Sequence, residues 1–210
     1  MEERKPMDTI NGLTRHQAIE KAFKLGFEGE ANRRSCSQAS FNAITEVLGI
    51  RNELLFKCVS ALEGGGADTS QNSCGAFSGP LVVFSYFFGR PYPLWDQGVT
   101  DNTSAKLGQK LYEKFVAEFG SAICKEMQKR IYGFETNFMD KAQLQRFEDA
   151  GGHTTGCPTV VGLASAWAIE ILWDKIPKDK DLSSIPDSKG IDQFFPPKKV
   201  IKKQDYRSAL

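Results

Sequence analysis

Apolar residues recur at helical spacing along almost the whole chain, and four of the resulting segments hold one lone cysteine each: Cys36, Cys74, Cys124 and Cys157. Ser35 is placed to cap a helix whose face carries Cys36, Ala39, Ser40, Ala43, Ile44 and Val47, spaced i, i+3, i+4, i+7, i+8, i+11, with Gly49 as its stop. The same reading starts a first helix at Thr14 and runs it toward Gly26, then sets a third over about Glu53 to Leu62. An apolar helix follows from Gly75 to Phe88, then a long amphipathic one from Thr103 or Ser104 to Phe119. Gly120-Ser121 restarts the chain into a helix with Cys124, Met127 and Ile131; a short helix over Lys141 to Ala150 and one from Cys157-Pro158 to Trp173 complete the set. The strand signal is weak everywhere. An all-α domain is expected, with cysteines that meet only if helix ends converge.

The chain has 210 residues, enough to bury a core without disulfide staples. A net charge of +1 gives no electrostatic excess for phosphates, so no nucleic-acid partner is expected. No stretch of about 20 apolar residues stands out, so no membrane insertion is expected. Met1-Glu2-Glu3-Arg4-Lys5 is polar and lacks an apolar signal region, which places the chain in the cytoplasm unless a leader preceded this numbering. Five cysteines is an odd count, which fits a reducing compartment or a metal site better than a disulfide framework.

None of the five cysteines forms a Cys-x-x-Cys pair, the arrangement that zinc knuckles and thioredoxin-like dithiols use. Single cysteines on separate helices still suit a compact iron–sulfur cluster, which takes four thiolates and carries negative charge. Helix N-termini offset that charge. Gly64-Gly65-Gly66 and the Gly75 beside Cys74 let backbone approach a cofactor closely. Cys58 lies among Leu54, Leu55, Ala61 and Leu62 and is read as packing.

The order of pieces resembles the C_GCAxxG_C_C family of redox-active proteins. The pieces are Asn32-Arg33-Arg34-Ser35-Cys36-Ser37-Gln38-Ala39, then Gly64-Gly65-Gly66 leading to Cys74-Gly75-Ala76-Phe77-Ser78-Gly79, then Gly120-Ser121-Ala122-Ile123-Cys124, then Cys157-Pro158-Thr159-Val160-Val161. The resemblance covers about residues 14–173 and extends to the non-haem part of split-Soret cytochrome c, which carries an iron–sulfur centre on four cysteines. It implies Cys36, Cys74, Cys124 and Cys157 as metal ligands; Gly64, Gly65 and Gly75, read from the residues themselves, are the expected backbone contacts of the cofactor or points of close helix approach. The implied cofactor is an iron–sulfur cluster, [2Fe-2S] favoured over [4Fe-4S], in an electron-transfer protein or subunit rather than a free-standing enzyme. Its partner would be another redox protein. Cys58 matches no family cysteine. The haem-attachment motif is absent, so no haem is inherited. Pro80 departs from the family pattern and is expected to delay or kink its helix.

The alternative is a metal-free thiol–disulfide oxidoreductase or redox sensor, which needs two of the four thiols close enough to bridge. A structural zinc site is weaker still, because its ligands would be dispersed. His153, four residues before Cys157, is read as a solvent-facing loop residue rather than a proton carrier; His16 reads as surface, and Trp95 as part of a packed loop. Residues 1–175 are read as one helical domain and 176–210 as an extended C-terminal arm, rich in proline and charge. Ile191, Phe194, Phe195 and Tyr206 point to a strap on the body or on a second subunit, a homodimer. The basic run Lys198, Lys199, Lys202, Lys203 reads as a solvated tail.

Overall fold

The structure is a computed structural model that describes residues 9–178 and Leu182. Among these residues helices dominate: α1 (Arg15–Arg33), α2 (Cys36–Leu48), α3 (Glu53–Cys58), α4 (Gly75–Phe88), α5 (Tyr92–Asp96), α6 (Thr103–Phe119), α7 (Cys124–Tyr132), α8 (Lys141–Asp149) and α9 (Cys157–Leu172). The described residues form one mainly helical body around α9, which packs on α1, α2, α4 and α6. The core runs through Ile44, Val47, Phe84, Leu111, Phe115, Val161, Ile169 and Trp173.

Thr14 caps α1 in a reciprocal capping box with Gln17. Contrary to the expected stop near Gly26, α1 continues to Arg33. Gly26 is instead the point of closest approach to α9. A methyl there would sit 2.6 Å from Ser165 Oγ and 2.9 Å from the Val161 carbonyl. Ala18, Ala22, Gly26 and Gly29 make a buried small-residue face, and Glu30 ends it.

A short hairpin precedes α1: β1 (Thr9–Ile10) pairs antiparallel with β2 (Leu13–Thr14). Asn11 and Gly12, at φ 50° and 74°, form the two-residue turn, a hairpin signal that the periodicity reading passed over. The Asn11 side chain donates to the Val47 carbonyl at 3.0 Å and ties the hairpin to the end of α2.

α4 begins at Gly75 and passes through Pro80, so the expected late start does not occur. The proline leaves the Ala76 carbonyl without its usual intrahelical donor. The segment read as one helix over Glu53 to Leu62 divides into α3 and a single 3-10 turn, Ser60–Leu62. Gly120 ends α6 in the left-handed region, and α7 starts only at Cys124.

Gly152–Leu172 is long and apolar enough to cross a membrane by length and composition, with mean hydropathy 1.3, against the expectation of no such stretch. Its larger part is buried as the central helix of the bundle, which accounts for the apolar composition. Ile176 and Leu182 are buried in the core. Ile191, Phe194, Phe195 and Tyr206 lie outside the described residues.

Candidate metal centre

Each of the four cysteines stands at a helix start. Cys36, Cys124 and Cys157 are the first residues of α2, α7 and α9, and Cys74 is the residue before α4. All four line one cavity, with Met127, Gln128, Ile131, Tyr132, Val160 and Val161 as its other walls. No charged side chain is among them. Cys74 and Cys124 are buried; Cys36 and Cys157 are half-buried, so the cavity reaches toward the surface. Cys58, expected in the core, ends α3 and is exposed, away from the cavity.

The loops that deliver the cysteines are unusual. Two residues link α1 to α2, and both have positive φ: Arg34 at 62° and Ser35 at 63°. Such conformations cost non-glycine residues about 1–3 kcal/mol each. Ser35 occupies the cap position, yet its hydroxyl makes no cap bond and is buried without a partner. The sharp reversal sets Cys36 against α4.

Gly64, Gly65 and Gly66 also have positive φ and fold the following loop back on itself. A methyl at Gly65 would fall 2.8 Å from Cys124 Cβ, and one at Gly75 would overlap Cys36 Sγ. The backbone N–H groups of Gly64 and Gly75 donate toward the Cys36 sulfur. The loop is locked to α7: the Cys124 N–H donates to the Asn72 carbonyl at 2.9 Å and the Lys125 N–H to the Ser70 carbonyl at 3.0 Å.

Thr14, Asn52 and Asp140 cap α1, α3 and α8, while the cap residues of the four cysteine-bearing helices α2, α4, α7 and α9 and of α5 and α6 make no side-chain cap bond. Loop carbonyls take the first N–H groups of α7, and the wide turn Gly152–Gly156 leads directly into α9. The starts of all four cysteine-bearing helices border the cavity through their cysteines.

Electrostatics separates the thiols. Cys36 is drawn down, first by the Cys74 thiol donating to it, against burial and with the help of the Gly64 and Gly75 N–H groups. Cys74 is pushed up by giving that proton, then by burial and by the other sulfurs. Burial pushes Cys124 up to about 12, with the charge of Cys36 adding to it. Burial, then the charge of Glu30, raises Cys157. Burial and the mutual repulsion of the sulfurs both oppose ionising all four thiols together. Among the described residues, no three His, Cys, Asp or Glu close on a point as a single-ion site does.

Glu30 is 2% exposed and its Oε2 has no hydrogen-bond partner. His153 Nε2 lies 3.9 Å from Glu30 Oε1. His153 is not the solvent-facing residue expected: its side chain is 16% exposed and packs edge-on against Phe147. Its Nδ1 lies 2.8 Å from Glu148 Oε1 and 2.6 Å from Arg34 Nη1, and Arg34 also pairs with Glu148. Trp95, expected in a packed loop, is 56% exposed and lies in α5, its ring tilted against the exposed Tyr92.

Burial, then the charge of Cys36, pushes Glu30 up to about 9. The unfolded chain releases this proton near pH 4.3, so between that value and 9 the folded state binds more protons. The contribution of Glu30 to stability therefore falls as pH rises across this window. Glu30→Gln keeps the shape and removes the titration. Thermal unfolding of the metal-free protein at pH 5 and pH 8 should show the variant gaining on the parent by about 4 kcal/mol at the higher pH. An equal difference at both pH values would mean that Glu30 is ionised in the fold.

Gln128 and Tyr132, which periodicity did not single out, hydrogen-bond two of the sulfurs. Their spacing of four and eight residues from Cys124 was the available signal.

No curated protein and no solved structure matches the chain. The likeness to split-Soret cytochrome c therefore stays with the motif order alone. A family model matches residues 34–171, a span that takes in all four cavity cysteines and the Cys74–Gly79 string, and is described as "Putative redox-active protein (C_GCAxxG_C_C)". With two thirds of its length so matched, the chain belongs to the C_GCAxxG_C_C redox-active family.

Proposed function

We propose that the cavity holds one iron–sulfur cluster on Cys36, Cys74, Cys124 and Cys157, and that the protein passes single electrons between redox partners. The observation that carries this is one uncharged cavity lined by four cysteines from four helix starts. Four thiolates are the donor set that such clusters take. Structural zinc sites draw their ligands from close Cys-x-x-Cys pairs, which this chain lacks. The contact between the Cys36 and Cys74 thiols favours [2Fe-2S] over [4Fe-4S], because two thiolates then share one iron.

When bound, the cluster supplies a one-electron couple. The chain's own residues do the rest. Helix N-termini and the Gly64 and Gly75 N–H groups offset the negative charge at Cys36. Val160, Val161 and Met127 exclude water. Cys36 and Cys157 are half-buried, and a redox partner would approach from their side. Five free cysteines suit a reducing, cytoplasmic setting, and the partner would be a redox protein rather than a nucleic acid.

A second reading rests on the same Cys36–Cys74 contact. A lowered thiol beside a thiol that holds its proton is what a disulfide-forming pair requires. Purification without oxygen separates the two. The first reading gives a coloured protein whose visible absorption bleaches with dithionite. The second gives a colourless protein in which mild oxidant joins Cys36 to Cys74.

A further inference from the structure

Cys124, Gln128 and Tyr132 recur every four residues on α7 and so stand on one face of it, toward the cavity. Gln128 is 3% exposed, and its amide has only one orientation that satisfies its neighbours. The Thr136 N–H can only donate, and it reaches Gln128 Oε1 at 2.7 Å. The Gln128 amide nitrogen therefore faces the other way, 3.3 Å from Cys124 Sγ and 3.4 Å from Ser70 Oγ. The Ser70 hydroxyl gives its own hydrogen to the Thr136 carbonyl at 2.6 Å, which leaves a lone pair for Gln128. One amide hydrogen thus goes to Ser70 and the other to the Cys124 sulfur.

Tyr132 has one hydrogen and two acceptors, the Gly152 carbonyl at 3.4 Å and Cys157 Sγ at 3.7 Å. A thiolate is the stronger acceptor, since a charge-assisted bond is roughly twice as strong as a neutral one. Room for the hydroxyl depends on Gly156, where a methyl would overlap the phenol oxygen.

We propose that Gln128 and Tyr132 are positioning residues that set the redox potential of the cluster, as side-chain donors to the sulfurs of Cys124 and Cys157. The inference rests on the iron–sulfur reading above. An added electron increases the negative charge on the sulfurs, so a donor stabilises the reduced form more than the oxidised form and raises the potential. Cys36 receives backbone donors, from Gly64 and Gly75, that no side-chain exchange removes. α7 is therefore where sequence change tunes the centre.

The test is a potentiometric titration of the full chain reconstituted with ferrous iron and sulfide, in the parent, Gln128→Met, Tyr132→Phe and the double variant. Tyr132→Phe removes a single oxygen and keeps the ring packing against Phe134 and Phe147, so it remains informative if Gln128→Met fails to fold. The expected result is full iron occupancy with a midpoint potential shifted down in each single variant and further down in the double. Full occupancy with the parent's potential in Tyr132→Phe would overturn the inference and leave the iron–sulfur reading standing. A purely structural role would lower occupancy or melting temperature without moving the potential, and that too would overturn it. Failure of the parent to take up iron and sulfide would overturn both.

Discussion

Serine at Cys74 should abolish cofactor binding. A hydroxyl is a poor replacement for a thiolate, and Cys74 is buried in contact with the Cys36 thiol, where nothing else supplies a sulfur. Serine at Cys36, Cys124 or Cys157 should lose or destabilise the cofactor for the same reason. Cys58→Ser should retain all of it, because Cys58 is exposed at the end of α3 and lines no part of the cavity. Its stability cost should also be within about 0.5 kcal/mol, as for other surface exchanges. Visible absorption and melting temperature of the five variants check this. Loss of the cofactor in Cys58→Ser with Cys124→Ser unaffected would reverse the ligand assignment.

The second large effect is expected at Gly75. Its methyl would overlap Cys36 Sγ and come within 2.8 Å of the Ser37 N–H nitrogen. That neighbour is backbone at the start of α2, which cannot swing aside as a flexible side-chain end does. Gly75→Ala should push α2 and α4 apart, cost about 1–3 kcal/mol by overpacking, and remove cofactor uptake. Gly108→Ala is the control. Its only close neighbour is the movable Leu81 Cδ2 at 2.8 Å, and alanine gains up to about 1 kcal/mol of helix propensity within α6. Denaturant unfolding of both variants, read with iron content, tests the contrast. A Gly75→Ala protein that loads normally would show that α2 and α4 do not need this close approach.

Much of the helical architecture was legible in the sequence because glycines and caps punctuate it. α4 ends before Gly89 and α6 spans Thr103–Phe119, as the spacing predicts. Gly26 has the local character of a helix stop, but in the fold it admits the backbone of α9, a contact far away in sequence. Glu30, beyond that apparent stop, continues the buried Ala18, Ala22, Gly26 stripe. Nothing in the sequence around His153 announces the wide turn that packs it on Phe147. The cysteine order was visible, but their meeting depends on four helix starts brought together over more than a hundred residues. Spacing does not encode that; the glycines that permit it, Gly65 and Gly75, were its nearest sequence trace.

The central claim is that Cys36, Cys74, Cys124 and Cys157 together hold one iron–sulfur cluster. Iron and acid-labile sulfide per chain, measured on protein purified without oxygen, tests it most directly. The account predicts equal amounts, about two of each per chain for [2Fe-2S], in the parent and in Cys58→Ser, and almost none in Cys74→Ser. A fully folded parent with neither iron nor sulfide, and with a Cys36–Cys74 disulfide forming on mild oxidation, would contradict it.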